Sequence, residues 1–271
     1  MSIGTNIRRL REQRGLTQEA LACKLDVTFQ AVSSWERDEY KPDTDNLIRL
    51  AEALDVSLSA IAEDRTGTFR TKDALYDWER MRTRVKTTAG IYKLRNTFKA
   101  LDFAVEAHKG QPRKRSTVPY IYHPLNVACH AMALGILEDD VIAACLLHDV
   151  VEDCGKSLAD LPVDDNVRNL VRLLTHEPVP AERRLEVLTS YYDAIAAEPK
   201  AALIKCLDRC NNLTTMSWGL SRDRIYRMIE ETEHFFPALL KTIKDTPEYN
   251  NAAWLLKYQM ESMLDIYKRL L

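Results

Sequence analysis

The apolar residues of this chain recur at intervals of three and four along nearly its whole length, in stretches separated by prolines and turn signals. That spacing builds amphipathic helices, not the alternating faces of strands. Only 8 glycines among 271 residues also disfavour a β-rich fold full of tight turns. The expected fold is all-α, as a small five-helix domain over residues 1–64, a linker with a basic helix over 65–92, and a larger helical domain over 93–271. Asp73 to Lys86 reads as the basic helix, ended by Thr87 to Gly90. Beyond it, breaks are expected at Pro119, Pro124, Pro162, Pro178, Pro180, Pro199, Pro237 and Pro247.

Stretches as short as those of the first domain cannot stand alone as helices. Packed together, Ile7, Leu10, Leu16, Leu21, Leu25, Val32, Trp35, Leu47, Leu50, Leu54 and Leu58 would form one small core. Within it, Thr17 and Thr28 are placed to cap two successive helices. The second of these carries short polar side chains of the kind that reach base edges in a major groove. The candidate DNA contacts are Gln18, Thr28, Gln30, Ala31, Ser33 and Ser34, and a domain of this type also serves as a protein-interaction module.

The formal net charge of −2 conceals a basic stretch from Arg70 to Arg115. The opening MSIGTNIRRLREQ is charged and lacks the apolar segment of a signal peptide, and no apolar run reaches membrane-spanning length. A cytoplasmic protein is expected, with its six cysteines reduced.

The sharpest chemical signal lies in VIAACLLHDVVEDCG, residues 141 to 155, read as one helix. At 3.6 residues per turn His148 stacks on Glu152 and Asp149 on Asp153, so an apolar face ends abruptly in one imidazole and three carboxylates. His123 follows an aromatic strip in VPYIYHP, and Asp208 follows an apolar run in AALIKCLD, with Asn212 one turn further on. His123, His148, Asp149 and Asp208 make a set of two imidazoles and two carboxylates, which suits a divalent ion such as Mn²⁺. Glu152 and Asp153 are then the candidate acid and base groups. Lys205 and Arg209 are candidates for phosphate contacts.

Two resemblances extend these readings. The run from Ile3 through Leu58, with Thr17-Gln18, Ala22, Ser33, Trp35-Glu36 and Pro42, resembles the Cro/repressor (XRE) helix-turn-helix family. It implies binding to double-stranded DNA, as a homodimer on a two-fold site. Asp38 stands where that family usually has Gly, which would set an acid near the phosphate path. The runs AHKGQPRKRSTVPYIYHPLNVA, AACLLHDVVEDC, LVRLLTHEP and LIKCLDRCNNLTTM are similar to the hydrolase domain of RelA/SpoT proteins and small alarmone hydrolases. This second resemblance implies that His123, His148, Asp149 and Asp208 bind Mn²⁺, that Glu152 and Asp153 serve catalysis, and that Asn212 helps hold substrate. It also sets Arg113 and Lys114 beside a guanine base and its phosphates. The implied reaction removes the 3′-pyrophosphate of guanosine tetra- or pentaphosphate. Two alternatives to this enzyme are a regulator whose second domain senses a nucleotide without turnover, and a hydrolase of another phosphorylated nucleotide such as NADPH.

Overall fold

The computed structural model describes residues 2–56, 58, 61, 77–113, 118–176, 183–216 and 220–271. The chain divides into two compact units, Met1–Leu75 and Tyr76–Leu271. Among the described residues every regular element is helical, and one isolated bridge joins Pro112 to Pro119. No helix among them is long and apolar enough to cross a membrane.

The first unit contains α1 (Ile3–Gln13), α2 (Gln18–Leu25), α3 (Phe29–Glu36) and α4 (Thr44–Ala53). Each starts with a side chain that accepts an otherwise unpaired backbone N–H: Ser2, Thr17, Thr28 and Asp43, in that order. Ile7, Leu21, Leu25, Val32, Leu50 and Leu54 are fully buried together. Leu58, expected in this core, is exposed; the place is taken by Ile61, whose carbonyl accepts from Asn6 Nδ2 at 3.2 Å. Of the stretch expected to hold the fifth helix, only Leu58 and Ile61 lie among the described residues. Glu36 ties three helices. Its carboxylate takes Arg11 Nε at 2.6 Å and Nη2 at 3.1 Å, and Gln18 Nε2 at 2.6 Å.

Asp38 does not face outward as free charge. With φ +57° it occupies the left-handed region, and its carboxylate accepts from Gly4 N at 2.9 Å and from the Ser2 hydroxyl, so it completes the N-terminus of α1. Those contacts and the backbone of α3 leave no space at Gly4, where a Cβ would stand 2.1 Å from the Trp35 carbonyl oxygen. Gly4→Ala is therefore expected to destabilise the first unit by about 1–3 kcal/mol. Faster hydrogen exchange over residues 2–56 would register the loss, and unchanged protection would contradict this packing.

The second unit contains α5 (Trp78–Tyr92), α6 (Arg95–Ala107), α7 (Tyr122–Ala133), α8 (Asp139–Leu147), α9 (Val150–Asp153), α10 (Asp165–Leu174), α11 (Arg184–Ala196), α12 (Pro199–Thr215), α13 (Arg222–Asp245) and α14 (Asn250–Leu270). α5 continues through Thr87 to Gly90, where a break was expected, because Val85 and Ala89 are fully buried and hold the last turns in place. α13 likewise continues through Pro237. Burial of Phe236 and Leu239 on either side offsets the roughly 3 kcal/mol that an interior proline costs.

At the centre lies α8, with every residue from Val141 to Leu147 fully buried, packed against α6, α7, α10 and α12. A helix apolar on all sides can only be an interior element. Its first residue, Asp139, also caps α6 by accepting from Asn96 N at 2.9 Å and Thr97 N at 2.8 Å.

Candidate metal and phosphoryl-transfer site

The helix expected over residues 141 to 155 is two helices. α8 stops at Leu147, His148 and Asp149 form a turn, and the short α9 begins at Val150. The interruption has a chemical consequence. Neighbours on a continuous helix point about 100° apart. Here the turn brings His148 Nε2 and Asp149 Oδ2 to 3.3 Å.

Two further groups converge on the same point. From α7, His123 Nε2 lies 3.2 Å from His148 Nε2 and 3.3 Å from Asp149 Oδ2. From α12, Asp208 Oδ1 lies 3.1 Å from His123 Nε2 and 3.7 Å from His148 Nε2. Ligands about 2.1 Å from a common ion stand roughly 3 Å apart; His123, His148 and Asp149, whose donor atoms all lie within 4.8 Å of one another, are spaced as donors around one cation, and Asp208 Oδ1 lies against both imidazoles. Outer hydrogen bonds fix the tautomers as well. His123 Nδ1 faces Asn211 Oδ1 at 2.6 Å, and His148 Nδ1 faces the Cys145 carbonyl at 2.9 Å. Both acceptors require N–H at Nδ1, which leaves lone pairs on the two opposed Nε2 atoms. Opposed at that separation beside two carboxylates, the two Nε2 atoms favour a cation between them, and without a metal Asp149 and Asp208 raise both imidazoles toward the protonated form despite their burial. The donor set therefore fits a divalent metal ion.

The local field agrees. Burial alone would raise the Asp149 and Asp208 carboxyls, but His148 and His123 hold Asp149, and Lys205 with the two imidazoles holds Asp208, well below the ordinary carboxylate range. That field favours the ionised carboxylates that metal binding requires.

Sequence reasoning missed two supports. Tyr120 donates its phenolic O–H to Asp149 Oδ2 at 2.7 Å, and burial, reinforced by Asp149, keeps that phenol protonated. Asn211 orients His123 and is itself held by Asn126 Oδ1, which accepts from Asn211 Nδ2 at 2.7 Å. Their available signal was only position: Tyr120 one helical turn before His123, and Asn211 three residues after Asp208. Replacing Asn211 with Leu is expected to weaken divalent-metal binding by about 10- to 100-fold while the fold persists. Calorimetric titration with Mn²⁺ checks this, and unaltered affinity would deny Asn211 an orienting role.

Around the cluster lie two cavities. One, of about 410 Å³, is lined by Arg113, Tyr120, Asp153, Asn212, Thr215 and the apolar Met216, Leu220 and Met228. The loop carrying Arg113 and Tyr120 is held by Arg113 N to Val118 O at 2.8 Å and Tyr120 N to Gln111 O at 2.8 Å. Arg113 Nη2 reaches Asn212 Oδ1 at 3.1 Å and Thr215 Oγ1 at 2.7 Å, and Asn212 Nδ2 donates to Asp208 Oδ1 at 2.6 Å. A hydrogen-bonded chain thus joins the guanidinium to the metal cluster. Lys114, named with Arg113, lies outside the described residues. The second cavity, of about 340 Å³, is lined by Glu152, His176, Arg184, Leu188, Tyr191, Tyr192, Lys205, Arg209 and Glu231.

Glu152 and Asp153 thus line different cavities, one turn beyond His148 and Asp149, with Asp153 N donating to the Asp149 carbonyl at 2.9 Å. Glu152 Oε1 accepts the backbone N–H of His176. Partial burial raises its carboxyl above the usual range, against the lowering effects of that N–H and of Lys205. Lys205 Nζ stands 3.4 Å from Asp208 Oδ2 and 5.6 Å from the Tyr191 ring centre. Arg209 is buried, paired with Glu231 and Tyr192, and stacked on Phe236 at 4.6 Å, so both its Nη atoms are committed within the fold.

Of the six candidate DNA contacts, three are occupied within the first unit. Gln18 donates to Glu36, Thr28 caps α3, and the Ser33 hydroxyl accepts from Arg37. Gln30 is exposed on α3, and Ala31 and Ser34 are half-buried there.

An all-helical unit with two histidines and two aspartates converging on one point has the makings of a divalent-metal site. The chain belongs to the HD-domain family, whose model matches residues 100–239, and a helix-turn-helix model matches residues 7–61. It is similar to the guanosine-3′,5′-bis(diphosphate) 3′-pyrophosphohydrolase of Aquifex aeolicus, with 28% identity over 171 residues, 60% of this chain and 22% of that relative. It is also similar to the bifunctional (p)ppGpp synthase/hydrolase SpoT of Escherichia coli strain K12, with 30% identity over 176 residues, 61% of this chain and 24% of the relative. The GTP pyrophosphokinase of Streptomyces coelicolor is 34% identical over 155 residues, 54% of this chain and 18% of the relative. The chain thus spans less than a quarter of the length of these relatives. A solved structure of a metazoan ortholog of SpoT, described as hydrolysing ppGpp, matches in fold with a TM-score of 0.51 and 23% identity, over 64% of this chain and 96% of that one.

Proposed function

We propose that the second unit is a Mn²⁺-dependent hydrolase that removes the 3′-pyrophosphate of guanosine tetra- or pentaphosphate, the reaction named for its relatives. The observation that carries this reading is the four-donor cluster flanked by two acids that face separate cavities. His123, His148, Asp149 and Asp208 would hold the ion. When bound, such an ion polarises a phosphoryl oxygen and lowers the pKa of a coordinated water.

The remaining roles fall to this chain's own groups. The cavity of Arg113, Tyr120 and Asn212, with its apolar wall, takes the nucleoside. Glu152, on the opposite cavity, accepts a proton from the attacking water, and Asp153, on the nucleoside side, gives one to the departing ribose 3′ oxygen. A bond forms from water oxygen to phosphorus as the bond from phosphorus to the ribose oxygen breaks, and the separate cavities of the two acids support their opposite roles in an in-line displacement. Tyr120 keeps Asp149 oriented throughout. Incubation of Mn²⁺-loaded protein with a panel of phosphorylated nucleotides tests the reading. Guanosine nucleotides bearing a 3′-diphosphate are expected to turn over fastest, and preference for NADPH would reassign the substrate.

The first unit is proposed to bind double-stranded DNA as a homodimer, supported by the helix-turn-helix match and by the exposure of Gln30 on α3. The double variant Gln30→Ala with Ser34→Ala should lose sequence preference in selection from a random DNA pool, at about 1–3 kcal/mol per lost base contact. Failure of the wild type to enrich any sequence would instead favour a protein-interaction module. With no membrane-spanning helix among the described residues, the proposed place of action is the cytoplasm.

A further inference from the structure

A third cavity, of about 300 Å³, is bounded by α7, α12 and α14 and shares no lining residue with the other two. It adjoins the metal cluster through two amides. Asn126 and Asn211 both line it, and Asn211 is the residue whose Oδ1 faces His123 Nδ1 at 2.6 Å. A volume of this size lies at the lower end of those that take small molecules, with room for one ring system and none for a nucleotide and its phosphates.

The lining says what chemistry would enter. None of its residues carries a full charge, because burial holds the His130 imidazole below its ordinary range and therefore neutral near pH 7. An ion would lose its water there and meet no counter-charge. Gln259 Oε1 is buried and has no hydrogen-bond partner among the described residues. Buried acceptors are almost always paired, so this one calls for an N–H or O–H donor. Tyr258, also in the lining, lies parallel to Trp254 with ring centres 6.0 Å apart, and the two are 61% and 71% exposed. Two large aromatic faces held side by side in solvent offer a stacking platform for a flat ring.

We propose that this cavity binds an uncharged nucleobase, stacked on Tyr258 and donating an N–H to Gln259 Oε1, and that its occupation favours metal binding at the cluster. A base is flat and neutral and carries N–H donors beside acceptors, which matches the amides of Asn126 and Gln259 and the neutral imidazole of His130. The coupling follows from a chain of contacts. Asn126 Oδ1 accepts from Asn211 Nδ2 at 2.7 Å, and Asn211 in turn fixes His123. A base seated against all three helices restrains that chain in the alignment His123 needs as a ligand. The coupling, but not the base site itself, rests on reading the cluster as a metal centre.

Calorimetry on the full-length protein tests both parts, with adenine, hypoxanthine, cytosine and uracil as separate probes, each titrated with and without Mn²⁺. At least one base is expected to bind, and to tighten Mn²⁺ binding by about fivefold or more, with Mn²⁺ tightening that base by the same factor. Gln259→Leu, and separately Tyr258→Ala at an exposed ring, should each weaken base binding about tenfold and leave Mn²⁺ affinity without base within about twofold. Thermal melts show that each variant is folded. Binding of none of the four bases, or base affinity unchanged in both variants, would overturn the site, the second result placing the base in the nucleoside cavity instead. Equal base affinity with and without bound Mn²⁺ would overturn the coupling. If no Mn²⁺ binds at all, the metal reading fails, while the base titrations still decide whether the site exists.

Discussion

Asp208→Ala is expected to yield a folded protein that retains no stoichiometric divalent metal and hydrolyses no nucleotide. Its Oδ1 is the one acidic donor from α12, 3.1 Å from His123 Nε2, and no neighbouring group can replace it. The loss goes beyond one ligand. Lys205 Nζ, now 3.4 Å from Asp208 Oδ2, would be left facing the two imidazoles without its counter-charge and would oppose a cation. Weakening should therefore exceed the roughly 10- to 100-fold that follows loss of an outer hydrogen bond. Folding should survive, because Leu203, Ile204 and Leu207 keep α12 fully anchored in the core. Elemental analysis and a thermal melt, run together, check both halves. Full metal content in the variant would remove Asp208 from the ligand set.

Glu152→Gln combined with Asp153→Asn is expected to separate binding from chemistry. Neither residue lies in the four-donor cluster, so metal content should match the wild type. Each amide keeps the size of its acid and loses proton exchange, so turnover should fall by about 10²–10⁴-fold. The two single variants should differ. A leaving group that needs no proton, such as a nitrophenolate ester of phosphate, should rescue Asp153→Asn and not Glu152→Gln, since Asp153 alone is assigned to the departing oxygen. Equal metal loss in the double variant and in Asp208→Ala would contradict this division of roles.

His123, His148, Asp149 and Asp208 were legible in the sequence as a candidate set because, although a single His or Asp at the end of an apolar run is usually structural, two imidazoles and two carboxylates together suit a metal. Helix caps Thr17 and Thr28 were legible for a local reason, since a capping side chain bonds only a few residues along. What stayed hidden depended on tertiary contacts. The apolar pattern through Leu147 continues into Val150 without a pause, so nothing local announces the turn at His148 and Asp149; the convergence of α7 and α12 is what makes it favourable. Pro237 and the Thr87 to Gly90 stretch carry local signals that argue against helix, and packing of Phe236, Val85 and Ala89 overrides them. Tyr120 and Asn211 were missed because a Tyr or Asn has no distinctive pattern until its partner is in view. Asp38 was read as charge exposed near DNA, whereas its partner, the N-terminus of α1, lies thirty-four residues away in sequence.

The measurement closest to the central claim is the identity and stoichiometry of the products formed from guanosine tetraphosphate by the Mn²⁺-loaded protein in ¹⁸O-labelled water, resolved by phosphorus NMR and mass spectrometry. The account requires guanosine diphosphate and pyrophosphate in equal amounts, with the label in the pyrophosphate, because the water attacks phosphorus and the ribose oxygen departs. Release of orthophosphate, label in the nucleoside, or no turnover by protein shown to contain its metal would contradict it.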